Sequence, residues 1–333
     1  MTRWGTEIIN SLTICPEFFK HSQLFSLSNS SESNSQSEDF LAGSIVSSIC
    51  LLGTVLMGSA ILGCLSIPSM KSPFGTLTIN QNLAEMIACI SCFYVFFFGF
   101  TLRIKTVIEY SYLVGGITVI MLHIILISFL LISLNRLCAI GIPMAYKIVF
   151  GKKFLKWILV ANWLFPLTCS LYLLIIRDCA FVMYHYGWYF DELPNESCGP
   201  HFLIYRVYAQ NLLTLATFLT DFGTLSLLIL LRKRVFLSAD SRRRELNFAR
   251  QVLVQGFVFL VYDVWYGNGR RLMPGMAENW KIFWTTSFSV NMLHVFNPMI
   301  VFICNLEFRK WLVGASKRKG TVGTLSSSVV NTN

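Results

Sequence analysis

A chain of 333 residues that is 54% hydrophobic, 14% aromatic and only 13% charged is too apolar for a water-soluble domain of that length. Its 27 Lys and Arg against 17 Asp and Glu give a net charge of +10. Where those bases lie decides whether the excess addresses nucleic acid or a membrane surface.

The chain opens on 39 residues that lack the continuous apolar stretch of a cleavable signal. Residues 26–38, SLSNSSESNSQSE, have the composition of a disordered segment. Residues 1–39 are therefore expected to form a disordered extracellular tail, with the first apolar segment acting as an uncleaved anchor.

A membrane-spanning helix needs about 20 mostly apolar residues. Stretches 40–70, 110–135, 157–176 and 282–306 carry no formal charge. Stretches 72–102, 207–231 and 251–269 are each interrupted once, by Glu85, Asp221 and Asp263. The predicted spans are 41–65, 76–99, 112–134, 157–176, 207–231, 251–267 and 282–304. The sixth is short and acidic. The expected fold is an all-α membrane protein, a seven-helix bundle over 40–304.

Lys and Arg in short connections are retained on the cytosolic side. With the N-terminus outside, the cytosolic segments hold 18 of the 27 basic residues and only three acids, Asp240, Glu245 and Glu307. That asymmetry predicts an N-out, C-in chain facing anionic lipid and a partner protein, with no nucleic acid. The two N-x-Ser/Thr sequons, at Asn29 and Asn195, both fall outside in this orientation and are expected glycosylation sites.

Five of the ten cysteines (Cys50, Cys64, Cys89, Cys92 and Cys169) fall within spans, where a buried thiol behaves as a small apolar group. Cys138 and Cys304 lie near the cytosolic face, within reach of palmitoylation. Cys179 and Cys198 share the loop 177–206 on the oxidising side. A bond between them closes a ring worth about 3 kcal/mol in the loop-entropy description; Cys15 is the competing partner.

Asn135-Arg136-Leu137-Cys138-Ala139-Ile140-Gly141-Ile142-Pro143-Met144-Ala145-Tyr146 ends the third span with a charge where the helix leaves the lipid. It resembles the D-R-Y-x-A-x-x-x-P-x-x-Y end of the third helix in rhodopsin-like G-protein-coupled receptors. Further stretches resemble the nematode serpentine receptors of class X. These are 67–75 (IPSMKSPFG) with Leu77, Thr78 and Gln81, then 244–248 (RELNF) with Gln251 and Gln255, and 305–310 (NLEFRK).

The resemblance spans 40–313 and implies a chemosensory receptor at the plasma membrane, for instance in sensory-neuron cilia. Such a receptor binds a small extracellular ligand, needs no cofactor and activates a heterotrimeric G protein. It places Asn135, Arg136, Pro143 and Tyr146 at the coupling surface. In related receptors an acid before the Arg restrains it at rest; Asn135 stands there, so the restraint is weak or comes from elsewhere, such as Glu245. The bases at 232–234 and 242–244 read either as a G-protein surface or as a topology determinant on anionic lipid.

Asn297-Pro298 resembles the N-P-x-x-Y switch of rhodopsin-like receptors, with Val301 in place of the Tyr. Pro298 removes a helical hydrogen bond and makes a hinge. Phe308, Trp311 and Leu312 share one face at helical spacing, so 305–313 reads as an amphipathic helix on the inner leaflet. After it, 314–333 reads as a disordered cytosolic tail with phosphorylatable serines at 326–328.

Charges inside spans are costly and are functional candidates by default. Glu85 lies roughly where related receptors bind sodium, or else pins the second helix to a neighbour. Asp221 reads as an intramembrane polar or ion site, facing either the ligand cavity or a water pocket. Thr118, His123, Asp263 and His294 are the candidate ligand-pocket residues, although each His also suits a structural role and Asp263 suits the outer membrane edge.

Other functions find little support. No His-Glu-x-x-His, Gly-x-Gly-Asp or phosphate-loop motif is present, and five scattered His make no metal cluster; an enzyme is not expected. The seventh span has no Lys for a retinal Schiff base. A ligand-gated cation channel of odorant-receptor type is the alternative, but it would invert the topology against the charge pattern. Amine receptors hold an acid where this chain has Thr118, which favours a small, fairly apolar odorant, with Asp263 able to take a cation by another geometry.

Overall fold

A computed structural model describes residues 35–177, 179–192, 198–231, 239–312 and 314. The two sequons at Asn29 and Asn195, Cys15, the bases at 232–234 and the serines at 326–328 lie outside the described residues, as do the side chains of 242–245.

Among the described residues seven long helices follow one another: α1 (Gln36–Ser66), α2 (Pro73–Phe93), α3 (Ser111–Gly141), α4 (Lys152–Leu171), α5 (Ala209–Leu231), α6 (Ala239–Asn268) and α7 (Ser289–Cys304). Wider π-helical turns extend α2 through Tyr94–Thr101 and α4 through Tyr172–Ile176, and lead into α5 and α7. Six of these rods are long and apolar enough to cross a membrane. The exception is α6, whose opening turns are polar and which becomes apolar only over the predicted sixth span.

The first helix starts at Gln36, inside the stretch that composition assigned to the tail. Ser35 and Glu38 form a capping box: the Glu38 N–H donates to Ser35 Oγ at 3.3 Å, and the Ser35 N–H to Glu38 Oε2 at 2.9 Å. Two otherwise orphaned donors are thereby satisfied, and the helix can begin in a polar sequence.

Helix α3 runs through the middle, packed on α2, α4 and α5, while α1 lies on α2 and α7. Buried apolar side chains form successive clusters down the bundle. At one end Phe96, Phe100, Trp188 and Phe283 meet; midway Ile124, Ile125, Phe129 and Phe259; at the other end Phe74, Leu77, Val301 and Phe308. Outward-facing Leu51, Leu52, Val55 and Leu62 are more than half exposed, as suits helices whose outer surface meets lipid tails.

A polar clamp joins three helices midway. Ser128 Oγ accepts from Asn80 Nδ2 and Asn162 Nδ2, each at 2.9 Å, and Trp163 Nε1 donates to Asn80 Oδ1 at 2.7 Å. Ser128 spends its own proton on the Ile124 carbonyl. These buried groups fix the relative rotation of α2, α3 and α4.

One end of the bundle is closed by an antiparallel hairpin, β1 (Phe181–Tyr184) and β2 (Tyr189–Glu192). Its turn carries Gly187 at φ +80° and Trp188 at φ +48°, so the indole points into the bundle mouth. Fully buried Trp188 donates from Nε1 to Asp39 Oδ1 at 2.8 Å, and its carbonyl accepts from Ser287 at 2.5 Å. Gly115 admits β1 against α3, since a Cβ there would sit 1.9 Å from the Phe181 carbonyl oxygen. Burial, reinforced by the Asp191 carboxylate, pushes the Tyr184 phenol up to about 12. It therefore stays protonated and donates to the Glu192 carbonyl at 2.9 Å.

At the opposite end, residues 306–312 are helical, and their apolar face docks as the 3.6-residue spacing predicts. Phe308 is fully buried against Gly63 of α1, where a Cβ would meet its ring at 2.4 Å. Ser69 hydrogen-bonds Glu307 and ties the α1–α2 turn to this helix.

Candidate functional site

Cys179 and Cys198 form a disulfide, with Cα atoms 5.5 Å apart. It staples β1 to the approach of α5, so the hairpin becomes a fixed roof. Beneath that roof lies a cavity of about 420 Å³ between α2, α3, α5, α6 and α7, within the size range of small-molecule sites. Phe181 and Phe190 of the hairpin line its top.

Three of the four pocket candidates line this one cavity: Thr118 from α3, Asp263 from α6 and His294 from α7. Asp263 accepts from Gln210 Nε2 of α5 at 3.3 Å. His294 is 4% exposed, and its Nδ1 has no partner among the described residues.

The fourth, His123, corrects the expectation, for it is not among the cavity-lining residues. Its ring is stacked on Tyr205 with centroids 4.0 Å apart. Nδ1 lies 2.9 Å from the Val119 carbonyl and Nε2 2.9 Å from the Tyr205 carbonyl. Two backbone partners and a stacked ring hold it as a strut between α3 and the start of α5. Sequence position along α3 does not reveal that rotation.

Below the cavity, the continuous helix α7 carries Pro298, whose ring nitrogen cannot donate to the His294 carbonyl one turn back. Next to it, Asn297 Nδ2 donates to Glu85 Oε1 at 2.7 Å, and Gln81 Nε2 donates to the same oxygen at 3.0 Å. Glu85 is fully buried, and its Oε2 and Asn297 Oδ1 have no partner among the described residues. The hydrogen-bonding alternative for Glu85 is thus present, joining α2 to α7 beside its proline. Asp221 is buried on α5, close enough to α6 that a Cβ at Gly256 would lie 3.2 Å from its Oδ2.

At the far end of α3, Asn135 and Arg136 are both buried. The guanidinium carbon of Arg136 lies 3.6 Å from the centre of the Phe74 ring, at the first turn of α2. A cation over an aromatic face (in a partly desolvated place) is worth about 1–2 kcal/mol. Phe74 is an aromatic partner for Arg136, one that the charge pattern of the sequence does not point to. Pro143 opens a short helix, Pro143–Val149, at a position where its missing N–H costs nothing. Tyr146 in that helix packs on Phe150 with ring centroids 5.7 Å apart. Val301, in the place of a switch tyrosine, is buried in the same apolar cluster as Phe308.

Known proteins are similar to this chain in fold or in sequence. Squid rhodopsin has the same fold, with a TM-score of 0.61 over 84% of this chain and 85% of that one, at 17% identity. Serpentine receptor class X-43 of Caenorhabditis elegans is 44% identical over 278 residues, covering 83% of this chain and 87% of that protein. Serpentine receptor class X 45 of the same organism is 24% identical over 201 residues, 55% of each chain. Residues 48–305 match the family described as the serpentine type 7TM GPCR chemoreceptor Srx. The chain, a multi-pass protein of the plasma membrane, belongs to the Srx family of serpentine seven-transmembrane chemoreceptors.

Proposed function

We propose that this receptor binds a small extracellular ligand in the roofed cavity and relays binding to a heterotrimeric G protein at the Arg136 end. The observation that carries the reading is the continuity along α7. His294 lines the cavity, Pro298 frees the His294 carbonyl, and Asn297 grips Glu85 of α2. A ligand that moves His294 acts directly on the hinge, and the hinge is bonded to the helix whose first turn bears Phe74, under Arg136. Coupling then requires Arg136 to leave Phe74 and meet the G-protein tail, with Tyr146 and Pro143 shaping the adjoining surface. The concentration of bases at that end supports a cytosolic orientation, with the hairpin and both sequons outside.

The test is nucleotide exchange on a heterotrimeric G protein reconstituted with the full-length receptor in lipid. Arg136→Ala should lower the receptor-dependent basal rate at least tenfold while thermal stability stays within a few degrees. Exchange that is independent of Arg136 at equal folded receptor would overturn the coupling role.

A further inference from the structure

The lining of the cavity carries more information than its size. All three aliphatic hydroxyls among its described lining residues spend their protons on backbone carbonyls. Thr118 donates to Val114 at 2.8 Å, Thr286 to Ile282 at 2.6 Å and Ser287 to Trp188 at 2.5 Å. A hydroxyl has one proton and two lone pairs, so what these groups present to a ligand is acceptor capacity alone. Asn291 gives one Nδ2–H to the Ser287 carbonyl at 2.7 Å, and its Oδ1 accepts from Cys50 Sγ at 3.0 Å. Gln210 gives one of its N–H groups to Asp263.

Asp263 adds a carboxylate to this acceptor-rich surface, and the described lining residues include no Lys or Arg. Aromatic side chains complete the wall, with Tyr262 and Tyr266 next to Asp263 on α6 and Phe96 from the extension of α2. Cations gain from both a carboxylate and an aromatic face, whereas an anion here would meet lone pairs and another negative charge.

We infer that the ligand is a small, mainly apolar molecule bearing a protonated nitrogen that pairs with Asp263. The inference rests on the cavity being the ligand site. The apolar part lies among Phe181, Phe190 and Val119. The orphaned Nδ1 of His294 takes a hydrogen bond at the opposite, α7 wall. Counter-charge is thus supplied from α6, and Thr118 on α3 contributes only an acceptor.

Three probes that share a skeleton and differ in charge separate the possibilities: 2-phenylethylamine, 2-phenylethanol and phenylacetate, each titrated at neutral pH against the lipid-reconstituted receptor. Thermal unfolding is the readout. The amine should stabilise at a concentration at least tenfold below the alcohol, and phenylacetate should not stabilise. Asp263→Asn should bring the amine to the alcohol's concentration and leave the alcohol unchanged; Asp263→Glu should restore part of the amine's advantage. Stabilisation of the Asn variant by the alcohol shows that it is folded.

An alcohol or acid that matches the amine, or an amine advantage that survives Asp263→Asn, would overturn the inference and leave the cavity standing as a ligand site. If none of the three stabilises at millimolar concentration, both the ligand class and the cavity assignment fail. The Arg136 exchange experiment is independent of that result.

Discussion

The hairpin end and the Arg136 end of this bundle are built on opposite principles. At the hairpin end the buried polar atoms are mostly partnered: Trp188 to Asp39, Ser287 to the Trp188 carbonyl, Trp280 Nε1 to Glu38, and the Met183 N–H to Ser111. A disulfide adds a covalent tie. Toward the Arg136 end, Asn135 Nδ2, Gln251 Oε1 and Asn305 Nδ2 are buried without a partner among the described residues. An unmet buried polar group costs about 1–3 kcal/mol. One end is therefore a finished container, and the other has polar groups that gain energy in any rearrangement or complex that reaches them. In a signalling receptor that difference suits a fixed ligand site joined to a coupling surface that changes state.

The sharpest way to break the comparison is to unfasten the container. Cys179→Ser with Cys198→Ser should cost about 2–5 kcal/mol, seen as a lower unfolding midpoint and loss of ligand-induced stabilisation. A stability equal to wild type would mean that the roof is held by its hydrogen bonds alone.

Next in size is the joint between the two ends. Glu85→Ala strands the Gln81 and Asn297 amides and should destabilise by about 2–3 kcal/mol. Glu85→Gln keeps an acceptor for Asn297 and should cost less than half as much in the same melts. Equal costs would show that the charge, and not the bond to α7, matters there.

Gly115→Ala forces a methyl against the Phe181 backbone, for about 1–3 kcal/mol, and displaces β1. Gly63→Ala meets only the edge of the Phe308 ring and should cost less. The smallest effect falls at the restraint. Phe74→Leu keeps the apolar contact and removes the aromatic face under Arg136, releasing about 1 kcal/mol of restraint. Basal nucleotide exchange should rise severalfold with the hairpin end unaltered; a fall would assign Phe74 to the active arrangement.

Much of this was legible in the sequence. Seven apolar runs give seven helices, because a bilayer sets a length that few other folds need. Cys179 and Cys198 were readable as a pair because they share one loop. Thr118, Asp263 and His294 stood out as polar groups in apolar runs, and they converge on one cavity. His123 met the same criterion and is turned elsewhere, since helix rotation is decided by tertiary contacts such as the Tyr205 stack.

Asn80, Ser128 and Asn162 carry no signal in the sequence because their partnership crosses three helices and leaves no spacing motif. The Phe74 restraint had no signal in sequence, where a search for counter-charges passes over an aromatic ring. The start of α1 at Gln36 could have been found from the Ser35–Glu38 capping spacing, which the polar composition around it obscured.

The claim on which the rest depends is that the container and the coupling end face opposite sides of the membrane. A glycosidase gel shift of wild type against Asn29→Gln and Asn195→Gln, with a protease-accessible tag after Asn333, tests it directly. The account predicts glycan on at least one site and a tag protected inside sealed cells. No glycan together with an externally cleaved tag would contradict it and turn Arg136 away from the G protein.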